Sequence, residues 1–178
     1  KSTDLRVNGT GNLGATNTML VLGKWYGIIV MVIDILKSYI AVRLARLLFP
    51  RLAVAGMLAG CGAVVGHIFP LYHKFRGGKG LACFAGMILA TDITVFNVLL
   101  MLGIVSVLIS DYAVALPVSA ACSAPVVFGI YYASTAVFGI LLIPCTVMLL
   151  KHRDNFRRIK DGSEIKFRSF VGKRIRKK

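Results

Sequence analysis

Three polar segments interrupt an otherwise apolar chain, and their residue types suit the binding of anions. The first is Asn8-Gly9-Thr10-Gly11-Asn12-Leu13-Gly14-Ala15-Thr16-Asn17. Glycine permits positive φ, so backbone N–H groups can turn toward an anion, and Asn and Thr add neutral donors. The helix predicted to follow offers further N–H groups at its start. The same loop also reads as an ordinary turn with a helix cap. The second segment is Gly66-His67-Ile68-Phe69-Pro70 followed by Phe75-Arg76-Gly77-Gly78-Lys79-Gly80. Three glycines around Lys79, after Lys74 and Arg76, make a cationic cradle whose natural guest is a phosphate. It is not a nucleotide-binding P-loop, because His73 stands at the required Gly and Gly80 at the required Ser or Thr. The basic residues also suit a loop retained inside a membrane, and His67 alone reads as a packed, hydrogen-bonded histidine. The third segment is His152-Arg153-Asp154-Asn155-Phe156-Arg157-Arg158, then Gly162-Ser163-Glu164. If the preceding helix continues, His152 and Asn155 share a face. Arg158 then pairs with Glu164 or with Asp154.

Other familiar chemistry is missing from these segments. They hold no facing acid pair, no His/Cys/Asp cluster with metal-ligand spacing and no G-x-S-x-G elbow. The H-x-x-x-x-D pair of many glycerolipid acyltransferases is also absent, since Tyr72, Gly78 and Arg157 stand five residues after His67, His73 and His152. The pattern is that of a site that binds and orients anions without a metal.

The elements that must position these segments are apolar. Of 178 residues, 57% are hydrophobic and only 16% charged, and the mean hydropathy is +0.76. Soluble domains carry about 25% charged residues, and disorder needs low hydrophobicity. The four cysteines lie far apart in apolar stretches and form no disulfide framework. A bilayer core takes roughly 20 apolar residues as a helix. Leu52–Phe69 and Ile93–Ser110 fit that length. Tyr112–Leu150, 39 residues without Lys, Arg, Asp or Glu, must fold back once, with Pro125 and the polar stretch Tyr131–Thr135 as the expected break region. Met19–Phe49 carries Asp34, Lys37, Arg43 and Arg46, which predicts a spanning helix ending near Lys37, or tilted through it, and then an interfacial segment. Leu81–Thr91 is a short helix. Continuous apolar runs argue against a barrel. The expectation is therefore an all-α, polytopic membrane helix bundle of about six spanning or partly spanning helices, with residues 1–178 forming one domain.

The formal charge of +15 sets sidedness. The tail 151–178 holds 12 Lys and Arg against 3 Asp and Glu, which marks it as cytoplasmic; its last basic residues suit anionic lipid rather than nucleic acid. Counting back one helix at a time puts the turn at Asp111, the loop His73–Gly80 and the N-terminal stretch Lys1–Lys24 on the same side. Arg43, Arg46 and Arg51 then fall outside, so either they lie on an interfacial helix or the helix count is off by one.

Taken together, Asp4 to Glu164 resembles the bacterial acyl-phosphate:glycerol-3-phosphate acyltransferases. The three segments match that family's signatures in order, and Asp34-Ile35-Leu36-Lys37 is similar to a further family feature. The resemblance implies a seven-helix enzyme of the bacterial inner membrane, working at the cytoplasmic face. It implies transfer of a fatty acyl group from acyl-phosphate to the 1-hydroxyl of glycerol 3-phosphate, giving lysophosphatidate and phosphate, with no metal and no cofactor. A further helix is expected before the first segment. A soluble enzyme that makes acyl-phosphate is an implied partner. Thr10, at a position usually Ser, would place a hydroxyl on the substrate phosphate, with Asn12 and Gly14 shaping its loop. Lys79, with Gly77, Gly78 and Gly80, would hold phosphate. His152 and Asn155 would complete the pocket, and Glu164 would hold the third segment in place. The implied mechanism is substrate-assisted, which agrees with the missing protein base. One position departs: Leu20 stands where the family pattern has Arg. Losing a charge-assisted bond to phosphate removes roughly 1.5–3 kcal/mol of binding; Lys24 lies one turn further on. Two other readings compete, a catalytically impaired homologue and a phosphorylated-solute transporter or anion-binding membrane protein.

Overall fold

The computed structural model describes residues 3–169; residues 170–178 of the basic tail lie outside the described residues. Eight named α-helices and a 3₁₀ turn account for most of the regular structure among the described residues, with one isolated bridge between Tyr112 and Lys166. Two helical stretches, residues 55–73 and Ile93–Ser110, are long and apolar enough to cross a membrane. A third is added if the bent pair Thr135–Lys151 and Arg153–Lys160 forms one span. The chain packs as two compact units, 1–93 and 94–178.

The first unit is built on α2 (Lys24–Leu48), against which α1 (Ala15–Val21), α3 (Ala55–Ile68) and α4 (Leu81–Thr91) pack. The charged residues of α2 do not end it. It runs unbroken for 25 residues, through Lys37, Arg43 and Arg46; α3 gives Lys37 a partner in His67 and α4 gives Arg46 two carbonyl acceptors, while Arg43 is exposed. Arg46, expected on the outer side or at the interface, donates to the carbonyl oxygens of Ala90 and Thr91 (3.2 and 3.3 Å). It thereby satisfies backbone acceptors that the C-terminus of α4 leaves open. Small residues let the helices approach: a Cβ at Gly86 on α4 would strike the Ile35 carbonyl of α2. The core between these helices holds Val42, Val64, Ile68, Cys83, Phe84 and Met87, all buried.

The second unit comprises α5 (Ile93–Ser110), α6 (Ala115–Tyr131), α7 (Thr135–Lys151) and α8 (Arg153–Lys160). The long apolar run does fold back once. The break is at residues 132–134, where Ala133 adopts a left-handed φ of 47° and the Ser134 hydroxyl caps α7 by accepting from Val137 N–H (3.3 Å). Pro125 is not the break; it lies inside α6, as Pro144 lies inside α7. Prolines are tolerated in apolar helices where neighbours and small adjustments satisfy the freed carbonyl. Ser106 and Ser119 hydroxyls join α5 to α6 at 3.2 Å. The turn at Asp111 is tied to the end of the described chain: Phe167 N–H donates to the Asp111 carbonyl (2.7 Å), and Arg168 N–H donates to its carboxylate (2.9 Å). Outward-facing positions are apolar. Ile109 is 81% exposed and Ile130 77% exposed, a surface that suits lipid rather than water.

Candidate active site

The first polar segment is organised by Asn17, a fully buried residue in the first turn of α1. Its side-chain oxygen accepts from Thr10 N–H (2.7 Å), and its amide donates to the carbonyls of Leu5 (3.0 Å) and Asn8 (3.1 Å). One amide therefore closes the loop over α1. Gly9, at φ 64°, has no room for a Cβ because Asn17 fills the space. Thr10 is left exposed, Asn12 half-buried and Gly14 buried. At the rim, Arg6 donates to the Asp4 carboxylate, side chain to side chain (2.8 Å), and these bonds hold the Asp4 carboxyl below its ordinary range. Asn17 was not among the residues expected to act; its signal was a short polar side chain at the start of a helix beside glycines.

The second segment is a tight return from the end of α3. Pro70 stops that helix. Residues 71–73 make a 3₁₀ turn, and Lys74 and Phe75 take left-handed φ values of 52° and 59°. Phe75 N–H donates to the Pro70 carbonyl (3.0 Å) and Gly77 N–H to the Ile68 carbonyl (3.1 Å). Gly77 and Gly78 thus lie flat on the last turn of α3. A Cβ at Gly77 would meet the His67 carbonyl, and one at Gly78 would fall on the His67 imidazole. Gly78 and Gly80 are buried and Lys79 is half-buried. Gly80, at φ 90°, leads directly into α4.

Beneath this loop lies a polar cluster on three helices. The Lys37 ammonium donates to Asp34 Oδ1 (2.6 Å) and contacts His67 Nδ1 (2.8 Å), while His67 Nδ1 and Asp34 Oδ1 are 3.3 Å apart. Asp34, His67 and Cys83 bring potential metal-ligating atoms within 4.8 Å of one another. The position a cation would take is the one the Lys37 ammonium holds, so the residues form an ion-pair cluster. Charged groups in a mid-helix apolar setting are a functional signal in themselves, and the Asp34/Lys37 spacing carried that signal.

The third segment lies in the second unit. The helix expected to continue through His152 ends there instead: His152 is the junction at which α7 gives way to α8, with a bend of 42°. His152 Nδ1 lies 2.8 Å from the Met148 carbonyl. A carbonyl only accepts, so the proton is on Nδ1. Asn155 N–H donates to the His152 carbonyl (2.9 Å), and both residues are buried. Asn155 donates to Glu164 Oε1 (2.7 Å) and Arg158 to Glu164 Oε2 (2.6 Å). Arg158 thus pairs with Glu164, while Asp154 lies nearer Arg157 at 3.6 Å. Leu20, at the family's arginine position, is 46% exposed on α1. Lys24 lies over the Trp25 ring at 5.7 Å.

Residues 1–162 match the family profile described as glycerol-3-phosphate acyltransferase. A glycerol-3-phosphate acyltransferase of Thermoanaerobacter sp. (strain X514) is 31% identical, over 93% of this chain and 83% of the relative. One from Legionella pneumophila (strain Corby) is 38% identical, over 94% of this chain and 61% of the relative. Among solved structures, the chain is similar to PlsY, described as an integral membrane glycerol 3-phosphate acyltransferase, in its glycerol 3-phosphate form. That match has a TM-score of 0.84 and 30% identity, covering 93% of this chain and 83% of that one. The lysophosphatidic acid form of PlsY matches with a TM-score of 0.80. A signature that spans nearly the whole chain, on a helical fold shared with an integral membrane enzyme, shows that this chain belongs to the glycerol-3-phosphate acyltransferase family.

Proposed function

We propose that the protein acylates the 1-hydroxyl of glycerol 3-phosphate with acyl-phosphate as donor, at the cytoplasmic face of a bacterial inner membrane. The observation that carries this reading is the Gly77-Gly78-Lys79-Gly80 loop, folded flat on the end of α3 with a lysine at its centre. Such a loop offers backbone N–H groups and a positive charge to a phosphate. Thr10, Lys79, His152 and Asn155 are the residues assigned to substrate, with Asn12, Gly14, Gly77, Gly78 and Gly80 shaping the anion-binding backbone. Glu164 supports Asn155 through its hydrogen bond.

In the reaction, the 1-hydroxyl oxygen attacks the acyl carbonyl carbon. The bond from that carbon to the phosphate oxygen breaks, and inorganic phosphate leaves. The hydroxyl proton passes to a phosphate oxygen of glycerol 3-phosphate, so no side chain need act as base. Fixed donors around the phosphates supply charge stabilisation and orientation. Acyl-phosphate links the protein to a soluble enzyme that makes that donor.

Membranes containing the protein, given acyl-phosphate and labelled glycerol 3-phosphate, are expected to form lysophosphatidate above an empty-membrane control. Lys79→Ala is expected to lower kcat/KM by at least about a hundredfold. Absence of product in the unmodified protein overturns the reading. Leu20 favours one second reading, an impaired homologue; good expression without complementation of a strain lacking the enzyme would support it. Uptake of glycerol 3-phosphate into sealed vesicles without product would support transport instead.

A further inference from the structure

We propose that His67 is a positioning residue for the phosphate-binding loop, and that Lys37, anchored by Asp34, fixes which imidazole nitrogen carries the proton. This rests on the acyltransferase reading above and adds three residues that reading does not use.

The argument begins with donor inventory. A lysine ammonium has donors and no lone pair, and an imidazole nitrogen either donates or accepts. At 2.8 Å the contact between Lys37 Nζ and His67 Nδ1 therefore has one polarity: the ammonium donates and Nδ1 accepts. The same ammonium donates to Asp34 Oδ1 at 2.6 Å. It bridges two acceptors that are themselves 3.3 Å apart. With Nδ1 accepting, the His67 proton is on Nε2.

Nε2 is the atom that faces the loop. A Cβ built on Gly78 lands closest to His67 Nε2, so the imidazole edge stands where a side chain at 78 would be. Gly77 is pinned to α3 through its N–H and the Ile68 carbonyl. The Gly78 N–H has no hydrogen-bond partner among the described residues, although Gly78 is buried. An unmet buried donor beside a lysine is what an arriving phosphate oxygen would satisfy. An imidazole presenting N–H at that place adds a donor dipole and holds the loop backbone in register. The opposite tautomer would present a lone pair toward the place an anion must occupy. Asp34 and His67 side chains are nearly buried, 9% and 11% exposed, which keeps the arrangement rigid. Cys83 of α4 closes the cluster from the third side.

The test combines a spectroscopic and a kinetic readout on the full chain in detergent or reconstituted membranes. Nitrogen-15 NMR of histidine-labelled protein at neutral pH is expected to show His67 neutral with its proton on Nε2, assigned by loss of the signal in His67→Gln. In Lys37→Met that signature is expected to change, because Nδ1 then faces the Asp34 carboxylate directly and must donate. Kinetically, His67→Leu is expected to raise the KM for glycerol 3-phosphate about tenfold with kcat changed less than about threefold. His67→Gln, which keeps a donor near the Nε2 position, is expected to stay within about threefold of the unmodified KM. A charged or Nδ1–H His67 in the unmodified protein overturns the proposal, as does equal KM for the Leu and Gln variants. If the unmodified protein makes no lysophosphatidate, the acyltransferase reading fails separately. Titration with inorganic phosphate then decides the matter for His67: weaker binding to His67→Leu than to His67→Gln supports the proposal, and equal binding overturns it.

Discussion

At the scale of single residues, two amides and one carboxylate do more than the charged groups around them. Asn17 makes three hydrogen bonds into the loop that carries Thr10. Removing it leaves one backbone donor and two acceptors without their partner, and each net loss is about 1 kcal/mol. Asn17→Ala is therefore expected to cost about 2–3 kcal/mol of stability, measured by denaturant unfolding in a fixed detergent. Asn17→Asp keeps the acceptor for Thr10 N–H but sets a buried carboxylate oxygen against the Leu5 and Asn8 carbonyls, so it is expected to cost at least as much as the alanine variant. Glu164 plays the corresponding part in the third segment, bound to Asn155 and Arg158 at once. Leu20 is the opposite case, an exposed apolar side chain where an arginine is the family pattern. Leu20→Arg is expected to lower the KM for glycerol 3-phosphate by about tenfold, the worth of one charge-assisted bond. An unchanged or higher KM in steady-state assays would show that this position does not reach substrate.

At the scale of elements, helix contact in the first unit depends on the absence of side chains at particular places. The Ile35 carbonyl of α2 occupies the volume that any side chain at Gly86 of α4 would need. Because a backbone atom cannot rotate away, even one methyl must push the helices apart. Gly86→Ala is expected to destabilise the protein by about 1–3 kcal/mol, read as a shift of the thermal midpoint in detergent. The same displacement moves Cys83 and the start of α4, to which the glycine loop is joined. Gly62, where a Cβ would meet nothing, is the control: Gly62→Ala should be neutral or slightly stabilising, since it adds helix propensity without a clash. Arg46 shows a second element-scale device, a cation of α2 that terminates α4 through its last carbonyls.

At the scale of the whole molecule, each unit is apolar outside and polar at defined ends, as an integral membrane protein requires. In the second unit the turn at Asp111 and the segment 166–168 are hydrogen-bonded together, whereas the turn at 132–134 lies at the other end of the α6–α7 hairpin. A single cysteine at Ser163 and one at Ala133 should therefore react with a membrane-impermeant maleimide from opposite sides. If the tail is cytoplasmic, as proposed, Ser163→Cys should label in inverted vesicles and Ala133→Cys in intact cells. Of the native thiols, Cys61, Cys83 and Cys145 are buried and Cys122 is exposed, so Cys122→Ser suffices as background. Labelling of both positions from one side would refute the assigned sidedness.

The residues alone determined the class of molecule. Uncharged runs of membrane-spanning length, a basic tail and three Gly/Asn/Lys-rich segments in a fixed order were enough to mark an all-α membrane protein and its family signature. They also limited the fold-back to Pro125 and the polar stretch Tyr131–Thr135; that Pro125 stays inside α6 and the break falls at 132–134 was decided by the structure. Other features depended on contacts between residues far apart in the chain. Whether α2 stops at Lys37 was decided by His67, thirty positions away, which gives the lysine a second partner. Whether Arg46 marks a side of the membrane or a helix end was decided by the carbonyls of Ala90 and Thr91. The bend at His152 goes with hydrogen bonds that hold α8 to the segment after it, from Asn155 and Arg158 to Glu164. Periodicity reports how a residue meets solvent or lipid, but a buried charge is stable only through its particular partner, and that partner is set by packing.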